Sequence, residues 1–72
     1  MSKLKEQGNE AFKQKDFEKA IDLFSQAIVQ DLDDHTLYGN RSAAHLKLGR
    51  PEEALKDAEK CIYLKEDWSR GW

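Results

Sequence analysis

Apolar residues recur along this chain at spacings of three and four with charged residues between them, the pattern of amphipathic helices and not of strands. A first segment over about residues 2–15 sets Leu4, Gly8, Ala11 and Phe12 on one side. A second, over about residues 17–30, carries Ala20, Ile21, Phe24, Ala27 and Ile28, which fall on a single helical face. A third, over about residues 36–48, ends at Gly49, a residue suited to a left-handed C-terminal cap. Pro51 follows at the entry to a fourth segment, about residues 52–64, where its missing N–H has no helical partner to lose. That segment repeats the apolar pattern with Ala54, Leu55, Ala58, Cys61 and Ile62. Lys15-Asp16 and Asp31 to Asp34 make the polar breaks. No window alternates with period two, so the expected class is all-α.

The chain also resembles itself. A shift of 34 residues lays Leu4 on Tyr38, Ala20 on Ala54, Ile21 on Leu55, Ala27 on Cys61 and Ile28 on Ile62, and a second shift lays Tyr38 on Trp72. The break at Asp16-Phe17 falls on Arg50-Pro51. Large, small and loop positions coincide together, which argues for a true helix–turn–helix repeat over an ordinary four-helix bundle of accidental periodicity. The organisation expected is one domain over 1–72: a first repeat at 1–34, a second at 35–68 and the start of a third at 69–72. Small residues at Gly8 and Ser42 are expected to face Ala20 and Ala54, so that paired helices approach closely.

Composition narrows the function classes. The 72 residues allow one small domain of marginal stability. Charged residues are 36% of the chain and hydrophobic residues 39%, a balance for short-looped helices with large wet faces. A net charge of -2 excludes a bulk-basic nucleic-acid binder, so no nucleic-acid partner is expected and any anion site must come from local clustering. The one cysteine, Cys61, has no partner within the chain for a disulfide, which points to a reducing compartment. With no apolar run long enough for a bilayer and no signal-like start, the expectation is a cytoplasmic protein without a membrane partner.

Stacked hairpins curve, and the first helix of each lines the concave side. Lys5 and Asn9 lie one turn apart on the first segment, and Asn40, Ala43, Ala44 and Lys47 form a stripe on the third. Arg70 opens what would be the next first helix. Such a face joins cations that pair with carboxylates to amides that donate to carboxylates or peptide carbonyls. Lys5 and Lys47 also read as ordinary solvated charges. Asn is a middling-to-poor helix residue, however, and two of them on the inner faces of successive repeats suggest a functional demand.

The stretches LKEQGNEAFKQKDFEKAIDLFSQAI and LYGNRSAAHLKLG resemble the tetratricopeptide family over the whole chain, and within it the co-chaperone subset; KEDWSRGW resembles members that organise heat-shock chaperones. The resemblance implies two tetratricopeptide hairpins, a piece of a right-handed α-solenoid. It also implies a co-chaperone adaptor that binds the acidic C-terminal Glu-Glu-Val-Asp tails of cytosolic heat-shock chaperones of the seventy- or ninety-kilodalton class. The family grips the tail with a two-carboxylate clamp. Lys5, Asn9 and Asn40 match clamp positions, Arg70 stands where Lys is usual, and Lys47 and Ala43 match accessory contacts. One further clamp cation falls four residues beyond Arg70, past Trp72, so the clamp carried here is incomplete. The sequence departs from the family at Ala11 and His45, where Tyr is usual, at Gln7 and Arg41, where Leu is usual, and at Leu32 and Glu66, where Pro is usual.

Enzyme chemistry is not expected. His35 and His45 have no acidic or thiol partner at ligand spacing, so neither metal nor cofactor is implied, and His45 is assigned to the half-buried slot usually held by Tyr. Cys61 reads as core packing. Ser25, Ser42 and Ser69 lack a recognisable base, and no Gly-rich phosphate loop occurs. Leu55, Ala58, Ile62 and Leu64 are left without a capping helix, which implies a piece of a longer domain whose exposed end self-associates into a homo-oligomer. The alternative function is accordingly a structural repeat that assembles without binding peptide.

Overall fold

The computed structural model describes residues 3–65. They form four α-helices: α1 (Lys3–Lys13), α2 (Phe17–Gln30), α3 (His35–Lys47) and α4 (Pro51–Lys65). Among the described residues there is no strand. The expected third-repeat start at 69–72, with Arg70 and Trp72, lies outside the described residues.

Local chemistry sets the helix ends. Asp16 caps α2 by accepting from the Lys19 N–H at 3.3 Å, and Asp34 caps α3 by accepting from the Thr36 N–H at 3.0 Å. The Asp34 cap starts α3 one residue earlier than the apolar pattern alone suggests. The two hairpin turns share one design. After α1, the Asp16 N–H reaches Ala11 O and the Lys15 N–H reaches Phe12 O, each at 2.9 Å. After α3, the Arg50 N–H reaches His45 O at 2.9 Å and the Gly49 N–H reaches Leu46 O at 3.0 Å. Both are Schellman closures around a left-handed residue. Gly49 takes φ 75° without penalty, whereas Lys15 takes φ 65° with a side chain that disfavours it.

Helix α1 packs on α2, α2 on α3 and α3 on α4, while α1 touches α3 along a narrow edge. The core runs through this ladder: Ala11, Ala20, Phe24, Ala27, Ile28, Leu37 and Tyr38 are buried, with Leu4, Phe12, Leu23, Cys61 and Leu64 packed against them. At Gly8 the tightest neighbour is Phe24. A Cβ on Gly8 would lie 2.6 Å from Cε1 of Phe24, so the glycine makes room for a buried ring. Ser42 does meet Ala54, through a hydrogen bond from its Oγ to the Ala54 carbonyl at 2.7 Å.

The outer helix departs further from the apolar pattern. Leu55 and Ile62, expected to lack a capping helix, are each 60% exposed, whereas the charged Asp57 of the same helix is buried. Helix α4 packs chiefly on α3, and its opposite side faces solvent.

Candidate functional site

The first helix of each hairpin contributes one stripe to a shared face. On α1 the residues are Lys5, Asn9 and Lys13, successive at four-residue spacing; on α3 they are Asn40, Ala43 and Lys47. The stripes meet at their middles, where the Asn40 amide donates from Nδ2 to Oδ1 of Asn9 at 3.1 Å. Each amide retains further donors and acceptors for a ligand. Around this pair lies a hollow of 360 Å³ lined by Asn9, Phe12, Lys13, Phe24, Asn40 and Ala43. Its floor is the edge of the core, since Phe24 is buried, and Phe12 is fixed by an edge-to-face contact with Phe17 at 5.1 Å between ring centroids.

Lys5 stands one turn before Asn9, and its ammonium is paired with Asp34 at 3.2 Å. Asp34 thereby serves two helices: it caps α3 and anchors the cation of α1. Partial burial pushes its carboxyl upward, but hydrogen bonds from Thr36 and Lys5 outweigh that, so its pKa lies below the ordinary aspartate value. Lys5 is therefore already paired, and an incoming carboxylate must share it with Asp34 or displace that carboxylate.

The structure thus brings Asn9, Asn40 and Ala43 to one hollow and sets Lys5 at the near end. Lys47 is exposed one turn past Ala43 and does not line the hollow. Ala44, expected on the same stripe, is instead fully buried. Arg70 lies outside the described residues. Lys13, Phe12 and Phe24 line the hollow without having been singled out as site residues, although a legible signal existed: Lys13 precedes Lys47 by 34 residues and follows Asn9 by four.

A second polar cluster sits between α2, α3 and α4. Arg41 donates to Asp57 twice, from Nε at 2.8 Å and Nη2 at 2.7 Å, and from Nη1 to the Ser25 hydroxyl at 3.0 Å. These bonds to Asp57 hold the guanidinium more firmly charged than usual. His45 is buried beside them, with Nε2 at 3.5 Å from Asp57 and Nδ1 at 3.3 Å from Glu53 but not aligned for a hydrogen bond. The Arg41 bonds fasten α2, α3 and α4 together, while Nδ1 of the buried His45 has no hydrogen-bond partner. A larger hollow of 460 Å³ between α1 and α2 carries Glu10 and Asp16 against a single cation, Lys19, the wrong balance for an anionic ligand. Among the described residues no group of three or more His, Cys, Asp or Glu side chains is placed to hold a metal ion, and no helix is long and apolar enough to cross a membrane.

Two stacked helical hairpins with a polar hollow between their first helices define an all-α repeat protein. The chain belongs to the tetratricopeptide-repeat family: the family model described as "Serine/threonine-protein kinase BSK1-like, TPR repeats" matches residues 1–72. It is similar to "Protein STIP1 homolog" of Dictyostelium discoideum, 51% identical over 99% of this chain and 13% of the relative. It is also similar to "Heat shock protein sti1 homolog" of Schizosaccharomyces pombe, 52% identical over 96% of this chain and 12% of the relative. "Hsp70-Hsp90 organising protein" of Plasmodium falciparum is 49% identical over 97% of this chain and 28% of its own length. The chain therefore spans a small part of the curated relatives that it matches.

Proposed function

We propose that this chain is a non-enzymatic co-chaperone adaptor of the cytosol that binds the acidic C-terminal Glu-Glu-Val-Asp tail of heat-shock chaperones in extended form. The observation that carries the reading is the Asn9–Asn40 pair, two helix-interior amides from successive repeats meeting at 3.1 Å over a hollow. Relatives named as Hsp70-Hsp90 organising proteins support the choice of partner. Lys5 attracts the terminal carboxylate, the two amides orient it by donating from their remaining N–H groups, and Ala43 leaves room for the peptide backbone. Arg70 and Lys47 contribute further positive charge to the set that binds the tail. Attraction between partly exposed charges weakens with salt, so affinity falls as ionic strength rises. Because Lys5 starts paired with Asp34, binding exchanges one carboxylate partner for another, and its net gain is modest.

Calorimetric titration with the tail peptide, as free acid and as C-terminal amide, tests this. The free acid alone should bind, and Lys5→Ala with Asn40→Ala should abolish the heat while helicity is kept. Equal binding of acid and amide, or no binding of either, sinks the clamp reading.

A second reading, assembly without peptide binding, is favoured by one observation: Leu55, Ile62 and Tyr63 are 60%, 60% and 54% exposed on α4. Its occupant is a second copy of the chain. Sedimentation that gives a monomer mass independent of concentration removes it.

A further inference from the structure

We propose that Lys13 is a specificity-determining residue of the groove, reading an acidic side chain three residues upstream of the ligand's terminal carboxylate. The inference rests on the adaptor reading above and deepens it by fixing the register and direction of the peptide. Three observations carry it. Lys13 lines the same hollow as Asn9, Asn40 and Ala43. It is exposed at the last turn of α1, and no carboxylate of the described residues is bonded to it, in contrast to Lys5, which Asp34 holds at 3.2 Å. It also completes a stripe: Lys5, Asn9 and Lys13 follow one another at i, i+4 and i+8, which places them on one side of α1.

The spacing sets the register. Eight residues of helix rise about 12 Å between Lys5 and Lys13. An extended peptide advances about 3.3 Å per residue, so a chain whose carboxylate sits at Lys5 presents the residue three to four places upstream at Lys13. In a Glu-Glu-Val-Asp tail that residue is the first Glu. The ligand accordingly runs from the start of α1 toward its end, with amides at the centre and a cation at each extremity. Phe12 and Phe24 supply an apolar floor between them, suited to the aliphatic residue of the tail. Lys5 fixes where the chain ends, and Lys13 reads what comes before it. The 34-residue repeat places Lys47 at the equivalent position of α3, but of the two cations only Lys13 lines the hollow.

The test uses the 72-residue chain and two tail peptides with free carboxyl ends, one with Glu and one with Gln at the first position, titrated at low salt into the parent chain and into Lys13→Gln. The parent chain is expected to prefer Glu about threefold, the scale of an exposed charge pair. Lys13→Gln should lose that preference while still requiring the terminal carboxylate, and Lys19→Gln on α2 should keep both. A preference for Glu that persists in Lys13→Gln, or a parent chain that binds both peptides equally, overturns the assignment and leaves the adaptor reading standing. Failure of the parent chain to bind either peptide removes the adaptor reading, and this inference falls with it.

Discussion

Replacing the Arg41–Asp57 pair by the residues that occupy the same places in the first hairpin tests how the two repeats are fastened. The 34-residue register puts Gln7 at the place of Arg41 and Leu23 at that of Asp57, so the variants are Arg41→Gln, Asp57→Leu and the double change. Asp57 has a side chain 9% exposed and accepts two bonds of 2.8 Å and 2.7 Å from a guanidinium whose side chain is 23% exposed. Removing one partner of a buried pair costs about 3–5 kcal/mol, because the other charge stays desolvated and alone. Arg41 would retain the Ser25 hydroxyl at 3.0 Å and the face of Tyr38 at 5.7 Å, so the lower limit applies and Asp57→Leu should cost about 3 kcal/mol. Arg41→Gln should cost a similar amount, since it strands the Asp57 carboxylate beside Glu53. Replacing both charges by uncharged side chains removes the desolvation penalty together with the attraction, and the double variant should fall within about 1 kcal/mol of the parent. A domain of this size has about 4–11 kcal/mol of stability, so each single variant still folds, with a melting temperature lowered by more than about 10 °C. Urea unfolding followed by circular dichroism at 10 °C, near the stability maximum, measures all four chains. Costs in the double variant that equal the sum of the singles would show that the two side chains act independently, and the argument would then be wrong.

Three further outcomes follow from the same geometry. Gly8→Ala should destabilise by about 1–2 kcal/mol in urea unfolding: overpacking against the buried Phe24 ring exceeds the helix-propensity gain of about 1 kcal/mol, and a neutral result would mean that the ring yields. Lys15→Gly should stabilise by about 0.5–1 kcal/mol, because glycine relieves the left-handed turn at φ 65° at a smaller entropic cost; an unchanged midpoint contradicts this. The lowered pKa of Asp34 makes a signed prediction. A carboxyl whose folded pKa is depressed contributes stability that is complete above its unfolded value, near about 3.9, and is lost as pH falls through the folded value. The stability advantage of the parent over Asp34→Asn should accordingly be full at neutral pH and shrink only below about pH 4. A difference that already fades between pH 7 and pH 5 would point to another group.

The helices, their order and the repeat were all written in local sequence, because amphipathic spacing, capping Asp residues, Gly49 and Pro51 act within a turn or two of chain. The bounds of α2 could be read from its apolar face alone, and the polar stripe of Lys5, Asn9, Asn40, Ala43 and Lys47 needed only helical spacing and a 34-residue shift. Spacing could not say which neighbour each residue would meet. That Gly8 yields to Phe24, that Asp34 claims Lys5, that Ala44 is buried while Lys13 reaches the hollow, and that Arg41 and Asp57 join three helices were decided by the lateral packing of α1 to α4. On α4 the sequence already left Leu55 and Ile62 without a covering helix, and they face outward; that the charged Asp57 lies inside was decided by the packing of α4 on α3, because an ion is buried only where a partner such as Arg41 meets it.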